Sequence, residues 1–283
     1  MEEKVKIRTK SQTKIIDYSL LIIVTLLVII PFLWMLLLSF KSNAEIFGSA
    51  LSIPKSLNFD NYKRALETLN FVQLYKNTFF IVFVTMTIEL SITFASSFVL
   101  SRMIFKNNKL KTLIYSFLII GLTISPFILL FPVYKINTIL NLKEQAGLIL
   151  PYVASSISFN TLLFVGYLKQ LPSEIDEAAV IDGCNLWQLI TKIIIPMAKP
   201  VIATVVIFNV LYIWNEFPFA SIILKDPNNY TLSLGASFFK GKYNIDYAGI
   251  IASSIMMIIP QLVFYGIFQK NIVDGMTAGA VKG

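Results

Sequence analysis

Histidine is absent from this 283-residue chain, and cysteine occurs once, as Cys184. A lone cysteine excludes an intrachain disulfide, and without histidine neither a Cys/His metal site nor histidine acid–base catalysis is available. No catalytic residue and no metal site are therefore expected. Charge is scarce too: 14% of the residues are charged against 56% hydrophobic, with a mean hydropathy of +0.72. That balance excludes an ordinary soluble domain and implies a membrane protein. No G-x-x-x-x-G-K-[S/T] run occurs, so the chain has no phosphate loop of that kind. The net charge of +8 does not call for nucleic acid, because the basic residues sit in short connections between apolar runs, where they set orientation in a bilayer.

A span needs about 20 mostly apolar residues, and six stretches qualify: 17–40, 77–101, 112–134, 147–168, 198–223 and 247–268. The first exceeds a signal-peptide core and lacks a small-residue exit, so it is expected to remain as an anchor. An even number of spans puts both termini on one side. Lys4, Lys6, Arg8, Lys10 and Lys14 in the amino-terminal arm, and Arg102, Lys106, Lys109 and Lys111 between the second and third spans, make that side the cytoplasm. The expected organisation is an amino-terminal arm, 1–16, followed by one transmembrane domain, 17–283. The outer segment 41–76 mixes Pro54, Asn58, Asp60 and Asn61 with Phe47, Leu57, Phe59 and Phe71, which suits a small ordered cap. The segment 224–246 is either an outer contact surface or an ordinary loop. Gly121, Pro126, Pro132, Pro151 and Pro260 fall within spans, where such breakers serve a moving cavity or are simply commoner in membrane helices.

One polar interruption, residues 171–200, separates the fourth and fifth spans. Ser173 with Asp176 three residues on predicts a capping box, and a short helix should follow over 174–182, ended by Gly183 in a positive-φ turn. A second amphipathic stretch then runs from Leu186 towards Pro196. Polar groups inside the spans are the other candidates. Glu89 in the second span is either a functional ionisable group or one that holds helices together. Asn209, Tyr212, Asn215 and Glu216 gather on the fifth span, where aromatic and amide groups either suit sugar hydroxyls along a path or form an interfacial belt.

The residues Glu177-Ala178-Ala179, then Asp182-Gly183, then Ile193 to Pro196 resemble the EAA loop of permease subunits of ATP-binding-cassette (ABC) importers. The longer run from Glu177 to Pro200 is similar to the carbohydrate-uptake, MalG-like branch of these binding-protein-dependent transport components. IWNEFPF (213–219), AGLILPY (146–152) and TAGAVKG (277–283) agree with it. The resemblance implies an all-α integral membrane protein of the type I importer permease fold, with six transmembrane helices and cytoplasmic termini in the plasma membrane. It implies that Glu177, Ala178, Ala179, Asp182 and Gly183 form a coupling helix docking on a separate ATPase. It also implies a transport subunit and not an enzyme, with ATP and Mg bound by partners. The expected partners are a second homologous permease, an ABC ATPase dimer, an extracytoplasmic solute-binding protein and membrane lipid. The expected cargo is a sugar or oligosaccharide. Another polar solute, such as a glycerol phosphate ester or a polyamine, is the alternative, followed by an ion-coupled secondary transporter. Glu89 departs from the family pattern, which usually has an apolar or small residue there.

Overall fold

The computed structural model describes residues 10–241 and 245–280. The basic residues Lys4, Lys6 and Arg8, Lys242 and Tyr243 of the outer loop, and the last three residues of TAGAVKG lie outside them. Thirteen α-helices are present among the described residues, joined by short 3-10 turns and a single isolated bridge, Lys240 with Ile245. They are α1 (Lys10–Leu38), α2 (Asn43–Gly48), α3 (Asp60–Thr68), α4 (Phe71–Arg102), α5 (Asn108–Ile119), α6 (Pro126–Ile139) and α7 (Glu144–Leu168), followed by α8 (Glu174–Ile181), α9 (Leu186–Gln188), α10 (Ile195–Met197), α11 (Lys199–Asn215), α12 (Pro218–Ile223) and α13 (Tyr247–Ala280).

Among the described residues, four helices are long and apolar enough to cross a membrane: Ile16–Leu38, Phe71–Arg102, Glu144–Leu168 and Tyr247–Ile267. Six spans result if each of two bent pairs counts as one. The predicted third span, 112–134, is not continuous. Its two parts, Asn108–Thr123 and Pro126–Ile139, meet at 104°. Pro126 starts α6 and cannot donate a backbone bond to the preceding turn, so the chain breaks at Ile124–Ser125. The predicted fifth span, 198–223, is broken as well. α11 stops at Asn215 after 17 residues, about 26 Å at 1.5 Å per residue and short of a ~30 Å hydrocarbon core. Its other end meets the helical run Leu186–Met197 at 73°.

The described residues fall into two compact units. One comprises the chain up to Leu69 together with Ala236–Met256, the other Asn70–Gly235 together with the chain from Met257. In the first, α1 is exposed along its most apolar stretch, the surface that lipid would cover. The segment after α1 is ordered by buried polar groups. The Asn61 amide donates to Ser39 O and Lys41 O at 2.7 and 2.8 Å, and the buried Lys41 ammonium donates to Ser49 O, Ala50 O and Ser52 Oγ. Asn43 donates to Asp246, which also accepts from Gly249 N at the start of α13.

The second unit is a bundle with α4 and α7 as its most extensive pair. Along α4 the buried residues Leu74, Thr78, Ile81, Thr85, Glu89, Thr93 and Ser97 recur every three or four positions, so one stripe faces the neighbours. The core is in two parts. One gathers Ile81, Met86, Leu148, Tyr152, Ile213 and Phe219, and the other Phe94, Phe98, Phe164, Leu168, Ile194 and Val205. The bundle has two distinguishable ends. At one, Asn77 donates to Asn228 O and Tyr230 O, and Leu232 N donates to Thr78. At the other, Arg102 of α4 lies against Leu168–Asp176, so the connection after α4 and the 171–200 insert share that end.

Candidate functional site

The insert is a rigid corner. α8 runs over Glu174–Ile181, and Gly183 has φ +77. Cys184 N donates to Ala179 O and Gly183 N to Val180 O, the paired bonds of a Schellman motif, which needs a left-handed residue at the position Gly183 occupies. A Cβ there would meet open space, so the glycine serves the backbone and not packing. Asn185 then caps the following helix in a reciprocal box: Gln188 N donates to Asn185 Oδ1 at 2.8 Å, and Asn185 N to Gln188 Oε1 at 2.9 Å. From Leu189 to Ile194 the helix widens to π geometry, with Ile195 N bonded to Ile190 O five residues back. Pro196 follows, and its ring crowds the carbonyl a turn earlier, which a π turn relieves.

Ser173 does not form the expected capping box. It is helical itself, with no side-chain cap bond, and Asp176 turns to Arg102 instead. Of the five loop residues singled out from sequence, Ala179 alone is buried, packed into the core with Leu189 and Ile194. Glu177, Ala178, Asp182 and Gly183 are exposed. So are Val180 and Ile181, 67% and 85% accessible, and Trp187 at 72%. A short helix thus presents two uncovered aliphatic side chains beside a carboxylate, a surface suited to a protein partner.

The second place of interest is the waist of the bundle, between the two halves of its core. Glu89 and Thr93 of α4, Ser156, Asn160 and Thr161 of α7, and Asn209 of α11 are all buried there. Asn209 Nδ2 donates to Asn160 Oδ1 at 2.8 Å, Asn160 Nδ2 reaches Thr93 Oγ1 at 3.5 Å, and Thr93 Oγ1 donates to Glu89 O at 2.6 Å. Three helices are linked by this relay. Glu89 is wholly buried; Ser156 and Asn209 are its polar neighbours, yet neither carboxylate oxygen makes a hydrogen bond of good geometry among the described residues.

Beside this layer opens a cavity of about 420 Å³ between α6, α7 and α11 and the 3-10 turn Ile120–Thr123. Asn209, Tyr212, Ser155, Ser156 and Ser158 bring polar groups to it, and Phe159 and Phe208, in edge-to-face contact at 5.5 Å, supply aromatic wall. The break in the third span makes this possible: Gly121 lies so close to Ser158 that a Cβ would stand 2.3 Å from its Oγ. Hydroxyls and an amide interleaved with aromatic faces can hydrogen-bond and stack a polyhydroxylated ring.

Two of the sequence candidates lie elsewhere. Asn215 is exposed at the end of α11, its amide bonded to Leu211 O. Glu216 is 6% accessible and engaged as a cap: its carboxylate accepts from Phe219 N at 2.7 Å, Ala220 N at 3.1 Å and the Tyr152 hydroxyl at 2.5 Å, and its carbonyl from Ser233. The structure therefore brings Glu89 and Asn209 to the waist and Tyr212 to the cavity, sets Glu216 behind Tyr152, whose ring contacts that of Tyr212, and leaves Asn215 apart. Sequence reasoning overlooked the serines. The signal was the run Ser155-Ser156-Ile157-Ser158-Phe159-Asn160, too polar for a lipid-facing face in mid-span.

Comparison with known proteins matches residues 90–277 to the family described as binding-protein-dependent transport system inner membrane component. The chain is 35% identical to the multiple sugar-binding transport system permease protein MsmG of Streptococcus mutans, over 94% of this chain and 96% of that one. It is 31% identical to the diacetylchitobiose uptake system permease protein NgcG of Streptomyces coelicolor, over 94% and 88%. Among solved structures, a chain of a bacterial ABC transporter involved in the import of the acidic polysaccharide alginate superposes with a TM-score of 0.76 at 22% identity, covering 93% of this chain and 97% of that one, a likeness of fold.

Proposed function

The chain belongs to the family of binding-protein-dependent transport system inner membrane components, and on that premise we propose that it is the permease subunit of an ATP-driven importer carrying a sugar or oligosaccharide into the cytoplasm. In this reading an extracytoplasmic solute-binding protein delivers the cargo, a second homologous permease completes the pathway, and an ABC ATPase dimer binds ATP and Mg and supplies the energy. Both termini and the insert face the cytoplasm in this reading, which the basic residues from Arg102 to Lys111 support. Glu177, Ala178, Ala179, Asp182 and Gly183 form the docking surface for the ATPase. Ala179 seats α8 on the bundle while Glu177 offers a charge-assisted bond to a basic group of the partner. Asn209 and Tyr212 meet the cargo in the cavity, with Asn215 farther along α11; Glu216 lies behind the path and holds the helices that form it, and Glu89 lies buried beside it without firm partners.

The observation that carries this reading is the exposed face of α8, with Val180 and Ile181 uncovered next to Glu177 on a corner that the Schellman turn fixes. Its test is purification of the complex in mild detergent from cells expressing Glu177→Lys. The ATPase should copurify with the wild type and be largely lost from the variant, whereas undiminished recovery would remove the charge from the docking surface. A panel of labelled sugars offered to energised vesicles holding the complex tests the cargo. Saturable, ATP-dependent accumulation of one of them is expected, and accumulation that ignores ATP but collapses with an uncoupler would favour an ion-coupled carrier.

A further inference from the structure

Arg102 is the last residue of α4, and it leaves the helix to enter a nest of acceptors on other elements. Nη1 donates to Leu171 O at 2.6 Å and Leu168 O at 3.3 Å, Nη2 donates to Pro172 O at 2.9 Å, and Nε stands 2.8 Å from Asp176 Oδ2. Leu168 terminates α7, Leu171 and Pro172 belong to the link beyond it, and Asp176 lies in the first turn of α8. The arginine side chain is 6% accessible and that of Asp176 24%. One side chain thus binds the negative end of α7, where unpaired carbonyls gather, and a carboxylate in the opening turn of α8.

Surface ion pairs contribute little to stability or mechanics, because water competes for both partners and long side chains swing freely. This pair differs in its burial and in the number of acceptors the guanidinium holds at once. Only a planar fork can meet three carbonyls and a carboxylate together, and a lysine would satisfy part of the set. One covalent route from the insert leads through residues 169–173 straight into α7, and the other is longer. It passes the π-helical segment Leu189–Ile194 and then turns through 73° into α11. α4, which carries Glu89 and Thr93, has no such stretch of chain to α8 and is tied to it through Arg102, while α7, with Asn160 and the cavity serines, is joined to α8 by the chain and by the same arginine.

We propose that Arg102 is the positioning residue that passes displacement of α8 to α4 and α7, through its pairing with Asp176. The proposal rests on the docking role of α8. Movement of α8 by a partner pulls on Asp176, the guanidinium carries that pull to the ends of both helices, and the waist and cavity wall are repositioned with them. Asp176, and not Ser173, is the residue of the first turn that matters, which accounts for its absence from the capping box expected at that place.

The test uses the full complex carrying Arg102→Lys or Asp176→Asn, with sugar uptake normalised to the ATPase that copurifies. Uptake per assembled complex should fall about tenfold in Arg102→Lys and severalfold in Asp176→Asn, with the double variant no worse than Arg102→Lys alone because both changes cut one route. Uptake per assembled complex within about twofold of wild type in both variants would overturn the proposal. So would a loss accounted for wholly by lower membrane level or ATPase recovery, which is what a merely structural role gives. Gly183→Val, measured alongside, separates the two ideas: if it alone abolishes uptake, α8 couples by another route, and if it too transports normally, the docking role itself fails.

Discussion

Two buried glutamates of one helical bundle meet opposite treatment. Glu216, at one end, accepts from two backbone N–H groups and a tyrosine hydroxyl. Glu89, at the waist, is more deeply buried and, with Ser156 and Asn209 as polar neighbours, makes no hydrogen bond of good geometry through either oxygen among the described residues. The same contrast extends to the surroundings. At the far end Arg102 donates to three carbonyls and forms an ion pair with Asp176, although its Nε and Asp176 Oδ1 make no hydrogen bond of good geometry, whereas Thr85 and Thr161, near the waist, each have a hydroxyl without a partner among the described residues. Unmet polar groups raise the free energy of the state that buries them, so a second arrangement that hydrates or re-pairs them lies closer in energy. The ends are the more firmly bonded, and the waist is the place where the helices can exchange partners, as a carrier with two access states requires.

Mutations sharpen or break that contrast. Glu216→Ala leaves Phe219 N, Ala220 N and the Tyr152 hydroxyl buried without their acceptor, and should lower stability by about 2–4 kcal/mol, read as an earlier thermal unfolding midpoint in detergent. Asn209→Leu strands Asn160 Oδ1 and should cost about 1–2 kcal/mol in the same assay. Glu89→Leu should do the reverse and raise stability by about 1 kcal/mol, since removing a buried, poorly paired carboxyl group relieves desolvation while Ser156 and Asn209 keep their bonds to Val153 O and Asn160 Oδ1. A clear loss on Glu89→Leu would mean that the carboxylate is held as firmly as Glu216, and the contrast would fall. Asn215→Ala, exposed and bonded only to its own helix, should stay within about 0.5 kcal/mol of wild type.

Local chemistry made part of this legible from sequence. The apolar runs located the spans, and the Asp182-Gly183 step located a left-handed turn, because a glycine after a short helix has few other uses. The corner's second half was also local and went unread: Asn185 and Gln188 have capping-box spacing. Pro218 was a comparable signal. A proline two residues after Glu216 marks the start of a new helix, and a carboxylate just before it is placed to cap and not to line a path. Other features depended on partners far along the chain. Asp176 left its predicted cap for Arg102, 74 residues earlier, and the 104° break of the third span was ambiguous until Gly121 met Ser158. A glycine or proline in an apolar run signals a possible kink, but the neighbouring helix decides whether the chain turns.

The docking corner is the centre of the account, and Gly183 tests it most directly because nothing packs against that residue. A valine there meets no clash and fails only through its backbone, at about 1–2 kcal/mol or more for a left-handed β-branched residue, while asparagine tolerates the same φ. ATP-dependent sugar uptake by vesicles holding the full complex should vanish in Gly183→Val and persist in Gly183→Asn, with both chains inserted at wild-type levels. Uptake unchanged by the valine would contradict the coupling role of the loop.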